Sequence, residues 1–184
     1  MQTIVGTPQA ALIPTFSGSI GTLPWFALKV RARGEAQIGE ALQRKNYETF
    51  VPSYIESRQY SDRIKKVQTA LFPGYVFCRF DPSRRLPVLT TPGVEYVLGN
   101  GRELTPVSEV EIDSLRTVLQ AGHAPQPYPF LEVGQKVRVE CGSFSGVEGQ
   151  IVRQKSGDLL VLSVTLLQRS VSIEIDRTWL RPVS

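Results

Sequence analysis

His123 is the only histidine in the chain, and it stands inside Gly122-His-Ala-Pro-Gln-Pro-Tyr-Pro-Phe130, surrounded by prolines rather than by acids or nucleophiles. A general base needs a partner within hydrogen-bond reach, and a nucleophile needs a base beside it. No serine is spaced to meet one, and neither paired carboxylates nor a phosphate-cradling glycine loop appears. The two cysteines, Cys78 and Cys141, have no C-x-x-C spacing and no paired histidine, which supports neither a zinc site nor a disulfide framework. The sequence therefore predicts no catalytic residue, no metal, no cofactor and no enzyme. What remains is the chemistry of recognition. Aromatic rings offer apolar faces, and arginines and lysines hold phosphate or stack on bases.

Leu71-Phe-Pro-Gly-Tyr-Val-Phe77 carries the first such set. A regular strand here would put Leu71, Pro73, Tyr75 and Phe77 on one face and Phe72, Gly74 and Val76 on the other, both apolar. It reads either as a central strand covered on both sides or as an exposed groove, built from Phe72, Tyr75 and neighbouring aromatics, that accepts a partner helix. The second set is Gly142-Ser-Phe-Ser-Gly-Val-Glu-Gly-Gln-Ile-Val152, whose Gly-turn-Gly spacing between alternating apolar stretches reads as a very small β-barrel. Gly142, Gly146 and Gly149 would turn its corners, with Phe144 projecting from the turn. Basic residues form the third set: Arg31 and Arg33 after the first strand, Arg44 and Lys45 at the end of the first helix.

These residues need elements to hold them. Trp25 to Val30 reads as a buried strand, and Glu35 to Lys45 as an amphipathic helix with Ile38, Ala41 and Leu42 at helical spacing. Thr49 to Tyr54 reads as a second strand interrupted by Pro52, and Glu56 to Gln68 as a charged, hairpin-like excursion holding Arg58, Arg63, Lys65 and Lys66. Leu71 to Phe80 is the most apolar strand; a short helix or loop through Leu86 to Leu89 and a last strand, Val94 to Leu98, follow. Ser108 begins a second helix with Glu109, Glu111 and Asp113 early, and with Val110, Leu115, Val118 and Leu119 largely on one side. The order predicts an α+β sandwich, helices on a mainly antiparallel sheet. The expected layout is a disordered tail over 1–23, a first domain over 24–121, a semi-rigid Pro-rich linker over 122–130, and a barrel over 131–184 whose first strand is Val133 to Val139.

The 184 residues are 41% apolar and carry a net charge of +4, a mild basic excess compatible with a polyanionic partner. Ala10-Ala-Leu-Ile13 is bracketed by Pro8 and Pro14 without a basic stretch before it, so it does not read as a signal sequence. No window reaches transmembrane length, and a soluble, cytoplasmic, monomeric protein is expected.

With Val137-Arg-Val139 before it and Val161, Val164, Val171, Ile173 and Ile175 after it, the glycine-rich run resembles a KOW module. Upstream, the Leu71 to Phe77 run with Arg79-Phe80-Asp81 and Thr91-Pro-Gly-Val-Glu-Tyr-Val97 resembles the amino-terminal (NGN) domain of NusG-type transcription elongation factors. The resemblance covers Pro24 to the carboxyl terminus. It implies that Phe72, Tyr75, Phe77 and Val97 grip the clamp helices of the RNA polymerase β′ subunit, and that Arg84, Arg85 and Leu86 reach the opposite β lobe. It likewise implies that Arg31, Arg44 and Lys45 lie near the non-template DNA strand of the transcription bubble. In the barrel, Phe144, Val147, Leu166, Leu167 and Arg169 match the surface that contacts ribosomal protein S10 or Rho. Tyr60-Ser-Asp-Arg-Ile-Lys65 and Leu167-Gln-Arg-Ser-Val171 look most like UpxY-type antiterminators, which are similar to RfaH-type factors in acting on particular operons. The expected function is that of a bacterial factor that binds polymerase and promotes processive elongation or antitermination. A housekeeping NusG and a ribosome-associated KOW protein that binds RNA are the alternatives. RfaH-like barrels can refold into a helical hairpin; here Val161, Val164, Thr165, Val171 and Ile173 favour strand, and a β-barrel is expected.

Overall fold

The computed structural model describes residues 23–59, 64–100, 103–123, 125–130, 134–154 and 157–183. The expected tail, apart from Leu23, and Arg63 of the excursion lie outside the described residues.

Aromatic and branched residues make Trp25–Val30 (β1) a strand that is buried on both faces. Glu35–Arg44 (α1) follows, with Ile38 and Leu42 buried, an acid in its first turn and Arg44 in its last, as the helix dipole favours. Gly39 lies on the buried side, where a Cβ would come within 2.8 Å of the Val51 side chain. The chain continues through β2 (Glu48–Phe50), β3 (Ser53–Gln59), β4 (Ile64–Ala70), β5 (Tyr75–Arg79), α2 (Leu86–Leu89), β6 (Val94–Val97), β7 (Pro106–Val107) and α3 (Glu109–Gln120). Beyond these come β8 (Gln126–Tyr128), β9 (Gln135–Val139), β10 (Glu148–Gln154), β11 (Gly157–Val164), β12 (Arg169–Ile175) and β13 (Leu180–Pro182).

The first sheet runs β2-β5-β1-β6, with β7 also on β1, and every pairing is antiparallel. Phe26, Leu28, Val30, Val76, Cys78 and Phe80 share one core with Ile38 and Leu42 of α1 and Val88 of α2. Trp25, Ala27 and Phe77 share the other with Leu71, Phe72 and the α3 residues Ile112, Leu115 and Val118. The expected sandwich is present. On α3 the deeply buried residue that the sequence reading missed is Ile112, whereas Val110 is 55% exposed.

An ion-pair knot ties the sheet to α3. Arg79, only 8% exposed, lies over the Trp25 ring with its Nε 3.1 Å from Glu48 Oε2, and it also pairs with Glu109. Arg116 lies over both Trp25 and Phe50 and donates to Glu48 Oε1 at 3.2 Å. The buried Arg79 thus keeps a second carboxylate when either Glu48 or Glu109 is removed, and Glu48 keeps Arg116 when Arg79 is removed.

Three segments differ from the sequence reading. Pro52, which has no N–H to give a ladder, splits the expected second strand: β2 joins the first sheet and β3 pairs with β4 in a separate ribbon. Leu71 to Gly74 is a turn, closed by Tyr75 N donating to Phe72 O at 3.1 Å, with Gly74 at φ +82°. Leu71 and Phe72 are therefore both buried rather than pointing to opposite faces. Within the expected linker, β8 pairs with β12 in the second sheet.

That second sheet runs β13-β9-β10-β11-β12-β8, antiparallel throughout. It is strand-rich, as expected. Gly142 and Gly146 take φ of +85° and +92° at its turn, and a Cβ on Gly149 would stand 2.6 Å from the Val161 carbonyl oxygen. Its buried residues, among them Val137, Phe144, Leu160 and Val171, form one continuous cluster with the Trp25 core of the first sheet.

Burial, aided by the Glu48 charge, pushes the Cys78 thiol up to about 12, while Cys141 is exposed. Thiolate, not thiol, is alkylated. Iodoacetamide at pH 8 should therefore modify the native protein once, at Cys141, as read by mass spectrometry; rapid double modification would contradict the packing around Cys78.

Candidate functional site

Tyr75 opens β5, and its register places it in a row. Its partner on β1 is Lys29, and the partner of Lys29 on β6 is Tyr96. The row lies on the same sheet face as Trp25 and Ala27, beyond the part whose residues cluster with α3. Tyr75 is half-buried and Tyr96 is 52% exposed, and Lys29 Nζ stands 4.8 Å from the Tyr75 ring centroid. Phe72 and Phe77 meet edge to face with centroids 6.0 Å apart, both fully buried. They back the row rather than forming its surface.

Val97, grouped with these residues by the family resemblance, lies on the opposite face, opposite Leu28 and against the α1 core. Past this pair β6 carries an extra residue at Glu95, so Val94 and Val97 share a face although three positions apart. Tyr96 is the β6 residue that joins Tyr75.

A buried carboxylate fixes the turn before Tyr75. Glu35, 7% exposed at the first position of α1, accepts with a single oxygen from Gly74 N at 2.6 Å and Arg33 N at 3.2 Å. The Gly74 carbonyl in turn accepts from Val30 N at 3.0 Å. Any Cβ at Gly74 would meet Lys29 Nζ at 2.6 Å, in a backbone conformation that L residues rarely adopt. Sequence reading placed Glu35 only as the first residue of a helix.

The basic residues divide. Arg31 is exposed, and Arg44, 72% exposed, stands 3.9 Å from Glu40. Lys45 instead donates to Pro87 O at 2.9 Å and Thr91 Oγ1 at 2.8 Å, tethering the end of α1 to α2. Arg84, Arg85 and Leu86 are all exposed, on a turn that Asp81 caps by accepting from Ser83 N at 2.8 Å. Among the described residues no group of three His, Cys, Asp or Glu side chains is placed to hold a metal ion.

In the second sheet Phe144, Val147 and Leu167 are buried. Phe144 does not project from its turn; its ring lies inside, with His123 edge-on at 4.6 Å and Trp179 at 6.3 Å. Leu166 and Arg169 remain half-buried, Leu166 against the apolar cluster that the two sheets share. Arg169 Nη1 donates to Pro73 O at 3.2 Å, and its guanidinium carbon lies 5.1 Å from the Tyr75 ring centroid. Nearby, Thr165 donates from N and Oγ1 to Glu111 Oε1 at 3.2 and 2.6 Å. The structure thus brings together one residue of the expected clamp-helix set, Tyr75, and one of the expected KOW partner set, Arg169.

Glu35→Ala would leave two backbone donors without their acceptor, and should cost about 2–3 kcal/mol in urea unfolding. Glu35→Gln, which keeps an oxygen there, should recover part of it; a loss below about 0.5 kcal/mol for the alanine variant would contradict this role for the carboxylate.

Residues 23–116 match the family model described as "Transcription termination factor nusG". The "Transcription termination/antitermination protein NusG" of Helicobacter pylori (strain J99) is 28% identical over 170 residues, covering 83% of this chain and 94% of the relative. The protein of the same description from Escherichia coli (strain K12) is 32% identical over 120 residues, covering 61% of this chain and 65% of the relative. A solved structure described as "Domain interaction in Thermotoga maritima NusG" aligns over 90% of this chain and all of that one at 19% identity, with a TM-score of 0.48. The matched stretch takes in just over half of the chain, from β1 into α3, and with it Glu35, the Leu71 to Gly74 turn and the Tyr75 row. The chain belongs to the NusG family and is a bacterial transcription elongation and antitermination factor.

Proposed function

We propose that this factor docks on RNA polymerase through the Tyr75, Lys29 and Tyr96 row, backed by Phe72 and Phe77, and promotes processive elongation or antitermination of particular operons. The observation that carries the reading is the row itself: two tyrosines flanking Lys29 on one sheet face, one of them 52% exposed, over a buried backing. Such a surface suits an incoming amphipathic helix, here the β′ clamp helices, because rings supply large contact area at low entropic cost. Val97, on the other face, has no part in it.

The working layout is a polymerase-binding domain over 24–121 and a KOW domain over 131–184, to which 122–130 lends β8. Arg84, Arg85 and Leu86 would reach the β lobe across the channel. Holding both jaws favours the closed polymerase only through tighter binding to that state. Arg31 and Arg44 would lie toward the non-template strand, while Lys45 acts indirectly by holding α2. Contact of the KOW domain with ribosomal protein S10 or Rho would use Leu166 and Arg169 directly; Phe144, Val147 and Leu167 support them from inside. The factor would work as a single chain in the cytoplasm; no described helix is long and apolar enough to cross a membrane.

The test is binding of the full-length protein to its cognate core polymerase. Tyr75→Ala and Tyr96→Ala should each weaken binding by about tenfold or more without changing the melting temperature by more than a few degrees, and should lengthen pauses in transcription in vitro. Wild-type affinity in both variants would contradict the reading.

A further inference from the structure

Between α3 and the second sheet lies a cavity of about 490 Å³. Its sheet wall follows from register. Gln150 on β10 pairs with Lys136 on β9 and with Val161 on β11, so these side chains share one face, and Glu148 and Ser163 join it two residues along. Leu160 and Leu162, of opposite or neighbouring register, belong to the apolar cluster instead. The helix wall is Val110, Glu111 and Ser114, one turn apart on α3. Val110, 55% exposed, stands where the cavity opens to solvent, and Phe130 and Val183 add apolar lining. Two polar groups inside it are unmet. Ser114 is 6% exposed and Gln150 Oε1 is buried, yet neither the hydroxyl nor the amide has a hydrogen-bond partner among the described residues. The carboxylates, by contrast, are engaged: Glu111 accepts from Thr165, and Glu148 pairs with Arg138.

We infer that this cavity is a binding site for a nucleoside. Its volume falls within the range of about 300–1,000 Å³ usual for small-ligand sites, and it combines apolar lining with a few convergent polar groups, as such sites do. A primary amide offers an acceptor and a donor side by side. That pair complements the edge of a nucleobase, where a donor lies next to an acceptor, and a glutamine meets such an edge with two hydrogen bonds. Gln150 reads the base in this way, while Val110, Phe130 and Val183 cover its apolar surface. The Ser114 hydroxyl and the Lys136 ammonium serve the ribose hydroxyls. Two carboxylates, Glu111 and Glu148, face one ammonium in this lining, so the site disfavours a phosphate and selects the nucleoside over the nucleotide. The inference is independent of the Tyr75 row, which lies outside this lining.

The experiment titrates the full-length chain with adenosine, inosine, cytidine and uridine, and with their 5′-monophosphates, reading binding by ligand-observed NMR. At least one nucleoside should bind saturably with a Kd below about 1 mM, and its monophosphate about threefold or more weakly. Gln150→Leu, which keeps the volume and loses the amide, should weaken binding about fivefold or more, and Ser114→Ala about twofold. Val110→Trp, which fills the open side from an exposed helix position, should abolish it. Melting temperatures show that each variant is folded; if Gln150→Leu is not, Ser114→Ala and Val110→Trp carry the test, since neither alters a strand. If no nucleoside saturates by about 5 mM on folded protein, the cavity holds water alone and the inference fails. Binding that survives Val110→Trp and Ser114→Ala lies elsewhere on the chain and overturns it as well. A monophosphate that binds as tightly as its nucleoside contradicts the stated ligand class.

Discussion

One buried carboxylate meets three elements. Glu35 begins α1, accepts from Arg33 just after β1, and accepts from Gly74 just before β5. Strands β1 and β5 are neighbours in the sheet, so this oxygen sets where the Leu71 to Gly74 turn sits relative to the strand it rejoins. Val30 closes the arrangement by donating to the Gly74 carbonyl. The tyrosine that follows can occupy its place beside Lys29 only if the turn ends there. An ionised acceptor with backbone N–H partners is among the stronger hydrogen-bonding arrangements a protein interior offers, and leaving those donors unmet is correspondingly costly. The proposed docking surface therefore inherits its geometry from Glu35.

The sheet and its two cores then divide the labour. The face under α1 and α2 is sealed, and the exposed cations Arg44, Arg84 and Arg85 stand outside it. The other face is sealed by α3 where Trp25, Arg79 and Arg116 lock together, and beyond that it carries the aromatic row. The second sheet continues the same apolar cluster, with Arg169 resting on Tyr75. Among the described residues, its hydrogen bonds from Thr165 to Glu111 and from Arg169 to Pro73 are exposed, so burial of the shared apolar cluster is what joins it to the first sheet.

Elements with a clear period were legible in the sequence. The alternation of β1 and the helical spacing of Ile38 and Leu42 placed the sheet and α1, and the glycines at 142 and 146 marked a turn that does take positive φ. Reading failed where one residue broke the period. Pro73 and Gly74 turned the start of an apparent strand into a turn, and an extra residue at Glu95 put Val94 and Val97 on one face of β6. Gln126–Tyr128 looked like linker because of Pro127, yet it lies at the edge of its sheet, where a missing N–H is tolerated. Long-range partners left no local signal: Glu35 is 39 positions from Gly74, and Arg169 is 96 from Pro73. Likewise nothing in the turn around Phe144 announced that His123 would cover its ring.

The account depends most on the Tyr75 row facing polymerase in the working complex. The direct measurement is photocrosslinking with p-benzoylphenylalanine in place of Tyr96, the most exposed residue of the row, in the full-length chain bound to a stalled elongation complex. An adduct mapped to the clamp helices of the largest polymerase subunit is the predicted result. An adduct confined to nucleic acid or to another subunit, from a factor that still binds the complex, would contradict it.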